Sequence, residues 1–190
     1  MSTIMRPFPT GKEIKLSTHK YIVSRTDPKG KILYANDYFS QISGYKEFEL
    51  VGAPHNIVRH PDMPKAIFYL LWEHIQKGQN VSAVIKNLAK NGDHYWVVTD
   101  FEIRRSPTTK AITQYVAFRH AVSKSVLKEV EPLYAEMLRI EQREGMAASI
   151  DYLNRFLADK HMNYNQYIEQ LAKPKGVAGT LFAKMKTLFA

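Results

Sequence analysis

Hydrophobic positions first gather at Tyr21-Ile22-Val23, and again at Lys31–Ala35, on either side of Asp27-Pro28-Lys29-Gly30. β-forming residues flanking a Pro/Gly turn predict a hairpin. The preceding residues 1–20 hold Pro7 and Pro9 and little periodicity, so they read as a lead-in, with a helical stretch over Glu13–Lys20. From Asn36 the spacing changes: Asp37, Tyr38, Phe39 and Ile42 fall at helical intervals and Gly44 stops them. A second short helix runs Lys46–Val51 and ends at Gly52. Over Pro64–Lys77, Ile67, Leu70, Leu71, His74 and Ile75 share one face, Pro64 suits a first turn and Gly78 a stop. Three strands follow at Asn80–Leu88, Asp93–Ile103 and Ala111–Val122, joined by the hairpin signal Lys90-Asn91-Gly92-Asp93 and by Ser106-Pro107-Thr108. Two strands, short helices, one longer helix and three strands make an α+β domain with a five-stranded antiparallel sheet.

The last third is helical throughout. Val126, Val130, Leu133, Met137 and Ile140 alternate four and three apart. Pro132 predicts either a kink or the first turn of a second half. The pattern repeats at Met146, Ile150, Leu153 and Leu157, and again at Tyr164, Tyr167, Ile168 and Leu171. After Pro174-Lys175-Gly176 comes a basic amphipathic piece, with Leu181, Phe182, Met185, Leu188 and Phe189 against Lys184 and Lys186. The expected organisation is a lead-in (1–20), a core domain (21–122) and a helical extension (123–190).

Composition narrows the chemistry. With 190 residues and 45% hydrophobic content, the chain can build a sizeable core. It has no cysteine, which excludes disulfides, thiolate metal sites, cysteine nucleophiles, covalent c-type haem and a flavin–cysteine adduct. The net charge of +9 is spread along the chain, without an aromatic-interleaved basic stripe or a DNA-reading motif, so nucleic acid is not expected. The longest apolar run, Ala66–Trp72, is too short to span a bilayer, and the first residues lack a signal-peptide core. A cytoplasmic protein is expected, or one peripheral at the inner membrane through residues 176–190; the same segment could instead fold back on the domain.

Candidate chemistry concentrates in Pro54–Pro64 (PHNIVRHPDMP) and in Lys86–Trp96 (KNLAKNGDHYW). Arg59, His60 and Asp62 sit in a loop stiffened by Pro61. Arg59 could recognise a diphosphate or a ring carbonyl through its planar fork, or could pair locally with Asp62, itself a candidate N-cap. Trp72 is either a core aromatic or a flat face for a planar ligand. Asn36 and Asn87 each carry an amide that both donates and accepts, suiting the edge of a heterocycle as well as a cap or turn. His55, His60 and His74 lack the acidic or thiolate company of a metal site. His60 or His74 could, however, be an axial ligand to haem. No nucleophile–base pair, phosphate loop or carboxylate pair is present, so no catalytic residue and no enzymatic turnover are expected.

YANDYF, ISGY, LVGAPHNIVRHPDMP, the helix containing Trp72, and KNLAKNGDHYWV together resemble the PAS domain of the bacterial aerotaxis receptor family across about residues 20–122. Glu129-Val130-Glu131-Pro132-Leu133-Tyr134 is similar to the segment that follows that domain. The resemblance implies a PAS fold and non-covalent FAD, with Arg59, His60, Asp62 and Trp72 needed for FAD and Asn36 and Asn87 near its ring. It implies a redox sensor whose signal leaves through the sheet. Since those receptors continue into a membrane anchor and a signalling coil, the reading for this chain is a stand-alone PAS protein docking on a separate membrane chemoreceptor, with a homodimer also open. Two other readings remain: a haem-binding gas or redox sensor, and a ligand-free docking or dimerisation module.

Overall fold

The computed structural model describes residues 6–172. The basic segment 176–190 lies outside the described residues. Strands β1 (Ile22–Thr26) and β2 (Ile32–Ala35) form the predicted hairpin, and Lys29 and Lys31 donate their backbone N–H groups to the Asp27 carboxylate that organises its turn. Helices α1 (Asp37–Ser43) and α2 (Glu47–Leu50), a 3₁₀ turn (His55–Val58) and helix α3 (Lys65–Gln76) follow. Then come β3 (Val81–Leu88), β4 (His94–Arg105) and β5 (Ile112–Ala121). The sheet runs β2-β1-β5-β4-β3, and every pairing is antiparallel. In the β3–β4 turn the positive φ of Gly92 matters doubly, because a side chain there would strike the carbonyl oxygen of Phe8.

No helix forms over Glu13–Lys20. Glu13 instead makes a parallel bridge to His94, the first residue of β4: Ile14 N donates to His94 O (2.7 Å) and His94 N donates to Lys12 O (2.8 Å). The lead-in is thus held as an extended strap, which satisfies its amides against the sheet without helical turns.

Helices α4 (Lys124–Glu144), α5 (Met146–Ala158) and α6 (Tyr164–Ala172) continue the same hydrophobic core. Helix α4 runs unbroken through Pro132, whose ring sits on the exposed side. The extension closes the β3 edge. Asn165 Oδ1 accepts from Ser82 N (2.7 Å) and Tyr134 Oη donates to Val84 O (2.9 Å), while Met63 Sδ, from the loop before α3, accepts from Lys86 N at 3.3 Å. Side chains occupy backbone groups that would otherwise invite another strand. Tyr134 also bonds Tyr164, tying α4 to α6, while Ser149 donates to Met137 O, tying α5 to α4.

Candidate functional site

Alternation along β5 turns Tyr115, Ala117 and Arg119 to the inner face of the sheet, and β3 turns Ile85 and Asn87 the same way. Helix α3 faces them with Phe68, Leu71, Trp72 and Ile75. Between sheet and helix lies a cavity of about 220 Å³, whose mouth carries Lys29, Pro54, Asn56 and Arg59. Its walls are flat and apolar. Trp72 meets the Tyr115 ring edge-on at 5.9 Å and 83°, and packs so closely on Gly30 that a Cβ there would come within 3.0 Å of the indole.

Its floor is polar. Asn87 is 5% exposed, and its side-chain amide makes no hydrogen bond among the described residues. Arg119, 2% exposed, donates to His55 Nε2 (2.8 Å), to Ser24 Oγ (3.0 Å) and weakly to Ala117 O (3.5 Å). Ser24 Oγ also lies 3.2 Å from the same imidazole nitrogen. A guanidinium has only protons to offer, so Nε2 is unprotonated and the ring proton sits on Nδ1. Burial, reinforced by the Arg119 charge, pushes His55 down to about 3. Burial also lowers Arg119 to about 10, which leaves it charged at neutral pH. Two further hydroxyls on this face of β4, Tyr95 Oη and Thr99 Oγ1, are buried without a partner among the described residues.

The six residues singled out from the sequence divide. Arg59, Trp72 and Asn87 line the cavity together; Arg59 and Asn87 also meet through a backbone bridge, and the guanidinium stacks on Phe68 at 4.1 Å. Asn36, His60 and Asp62 are not in its lining. Asn36 caps α1: its Oδ1 accepts from Phe39 N (3.1 Å) and Val23 N (3.0 Å), and its Nδ2 donates to Tyr21 O (2.9 Å). His60 is 2% exposed, packs edge-on against His94, and accepts Asp62 N at Nδ1 (3.1 Å). Burial, then the nearby Lys86 charge, lowers it to about 4. Asp62 neither caps α3 nor pairs with Arg59; it takes an ion pair from Lys86 at 2.8 Å. His60 and Asp62 brace the loop that carries Arg59, whereas Asn36 ties β1 to the start of α1. His74, offered for haem, bonds the Leu70 carbonyl at 2.8 Å and is also outside the lining.

The sequence offers His55 only as a metal ligand, and nothing in it singles out Tyr115, Phe68 or Phe101. For Arg119 a signal existed, since it stands in phase with Tyr115 and Ala117 on a strand buried on both faces.

As a test of fit, a planar heteroaromatic ring with a polar edge suits the flat walls and the amide–guanidinium floor. At about 220 Å³ the cavity is smaller than pockets that enclose whole drug-sized ligands. It matches the head of a dinucleotide, with the remainder directed to the polar mouth. Haem suits the site poorly, because the one histidine in the lining, His55, has Nε2 committed to Arg119.

A family model described as the PAS fold matches residues 32–118. The aerotaxis receptor of Escherichia coli (strain K12) is 42% identical over 130 residues, 67% of this chain and 25% of that protein. The bacterioopsin transcriptional activator of Halobacterium salinarum is 29% identical over 141 residues, 73% of this chain and 19% of that protein. The chain therefore spans about a quarter or less of either relative. A solved light-oxygen-voltage domain, studied with a flavin analogue, superposes with a TM-score of 0.50 at 22% identity, covering 59% of this chain and 83% of that one, a likeness of fold.

Proposed function

Residues 32–118 belong to the PAS-fold family, and from that premise we propose that this chain is a redox sensor holding FAD non-covalently in the cavity between α3 and the sheet. The observation that carries the reading is the cavity itself: aromatic walls at Trp72, Tyr115, Phe68 and Phe101 over a buried amide and guanidinium. The 42% identity to a protein named an aerotaxis receptor supports it. Trp72 and Tyr115 supply stacking surface, worth on the order of 1 kcal/mol beyond area burial. Asn87 offers a donor and an acceptor to the ring edge, and Arg119 a positive charge. Arg59 stands at the mouth for a phosphate, held there by Phe68 and the braced loop.

A bound flavin supplies a change of charge and protonation on gaining or losing electrons. The chain's part is to feel that change at Asn87 and Arg119 and carry it outward. Asn87 lies on β3 and Arg119 on β5, so both displace the sheet. Helix α3 offers a second route: it carries Phe68, Leu71, Trp72 and Ile75 into the cavity, and its N-terminus is held by Glu141 of α4. In this reading residues 21–122 are the sensor and 123–190 the output element, which a membrane chemoreceptor recognises in one of its two packings. A difference in partner affinity of about 1–3 kcal/mol suffices to signal. Among the described residues no helix is long and apolar enough to cross a membrane. The test is the visible spectrum of purified protein before and after chemical reduction: a bleachable flavin spectrum supports the reading, and a haem spectrum moves the protein to the rival cofactor.

A further inference from the structure

The deepest charge among the described residues has no counter-charge. Arg119 is 2% exposed and forms no ion pair with any carboxylate among the described residues; its partners are a hydroxyl, a carbonyl, an imidazole and the Phe39 ring face at 5.6 Å. All are neutral. His55 must present a bare nitrogen to the guanidinium, which has only protons to offer. Tyr95, the nearby acid, is pushed well above its ordinary range by burial and keeps its proton. Isolating a cation from water is costly unless an anion or strong acceptors offset it. The place left for that anion is the cavity that Arg119 lines.

We infer that Arg119 selects the charge of the ligand, holding a planar heteroaromatic ring in its anionic form. The inference rests on the flavin reading and deepens it. Reduction of oxidised flavin to its anion takes two electrons from an external donor and one proton from solvent. The second proton, which would neutralise the ring, stays in solvent because the guanidinium already compensates the negative charge. Two consequences follow. The reduced cofactor binds more tightly than the oxidised one, and its potential therefore lies above that of a protein lacking this cation. The His55–Ser24 pair positions the guanidinium without adding a charge of its own; a carboxylate in either place would cancel the effect.

The experiment compares the full chain as wild type, Arg119→Lys and Arg119→Gln in anaerobic titrations with FAD and with dithionite-reduced FAD. The expected result is a wild type that favours reduced FAD, a Lys variant that keeps most of the preference, and a Gln variant in which the ratio of the two dissociation constants falls about tenfold, the size of one hydrogen bond to a charged group. A clip that merely ties β1 to β5 would weaken both forms alike, so an unchanged ratio in Arg119→Gln overturns the inference while leaving the flavin reading intact. A wild type that takes up neither form overturns both. Should Arg119→Gln fail to fold, the wild-type midpoint potential decides, followed on the mildly acid side of neutrality where free reduced flavin gains its second proton. A slope of one proton per two electrons supports the anion, and a slope of two protons contradicts it.

Discussion

Glu141 on α4 caps α3 at Ala66, 75 residues away in sequence: its Oε2 accepts Ala66 N at 3.0 Å while its Oε1 accepts Lys65 N at 3.1 Å. Helix α3 has no cap of its own, because its N-cap is Pro64. A carboxylate satisfying two orphan amides at a helix N-terminus also meets the positive end of the helix dipole. The extension thereby grips the helix that carries Trp72.

Replacing Glu141 with Ala should cost about 1 kcal/mol, the usual value of an N-cap, with Glu141→Gln losing less. Urea denaturation of the three proteins measures it. An Ala variant as stable as the wild type would show that the grip has no energetic content.

Gly30→Ala should be destabilised by about 1 kcal/mol or more. The residue has φ +81°, and its new methyl group would lie 3.0 Å from the Trp72 ring. The indole must move toward the cavity, so cofactor content should fall with stability. Absorbance ratios of the purified variant against wild type check the second effect. Full occupancy with a displaced Trp72 would remove that residue from the cofactor wall.

Asn87→Leu should have opposite effects on the empty and loaded protein. The Asn87 amide faces the cavity without a protein hydrogen bond among the described residues and so bears part of a desolvation cost of about 1–3 kcal/mol; the Leu variant should unfold at equal or higher urea than wild-type protein stripped of cofactor. Its affinity for FAD should drop about tenfold, by the same principle. A stripped variant much less stable than stripped wild type would mark Asn87 as structural instead.

Acid should weaken the fold through two histidines. The unfolded chain protonates His55 near 6.5, whereas the folded chain resists until about 3. His60 behaves alike, with about 4 in the folded state. Between these values the unfolded state binds more protons, so stability falls as pH falls through that window. His55→Gln, which does not titrate, should lose less stability than wild type when denaturation at neutral pH is compared with denaturation in the middle of the window. Equal losses would mean that His55 is not the group resisting protonation.

The framework was legible in the chain because its punctuation is local. The Asp27–Gly30 and Lys90–Asp93 turns, the Asn36 cap with its Gly44 stop, and the periodic face of α3 each depend on neighbours in sequence. The site was legible only where rare residue types cluster. Arg59, Trp72 and Asn87 stood out by company, but His55 and Arg119 draw their meaning from each other across 64 residues and from the register of β1 with β5. Asp62 shows the converse. Its place before Pro64 suited a cap, yet Lys86, 24 residues on, and Glu141 divide the two duties between them. The Glu13–Lys20 stretch is extended rather than helical because Ile14 N bonds His94 O on β4 and Ser17 N bonds Tyr38 Oη, partners that no window of neighbours contains.

The most direct test of the flavin reading is the visible absorption spectrum of the freshly purified chain, recorded before and after dithionite and again in air. The account predicts a two-banded flavin spectrum that bleaches on reduction and returns with oxygen, or appears once colourless protein is incubated with FAD. A Soret band, or protein that stays colourless after incubation, would contradict it.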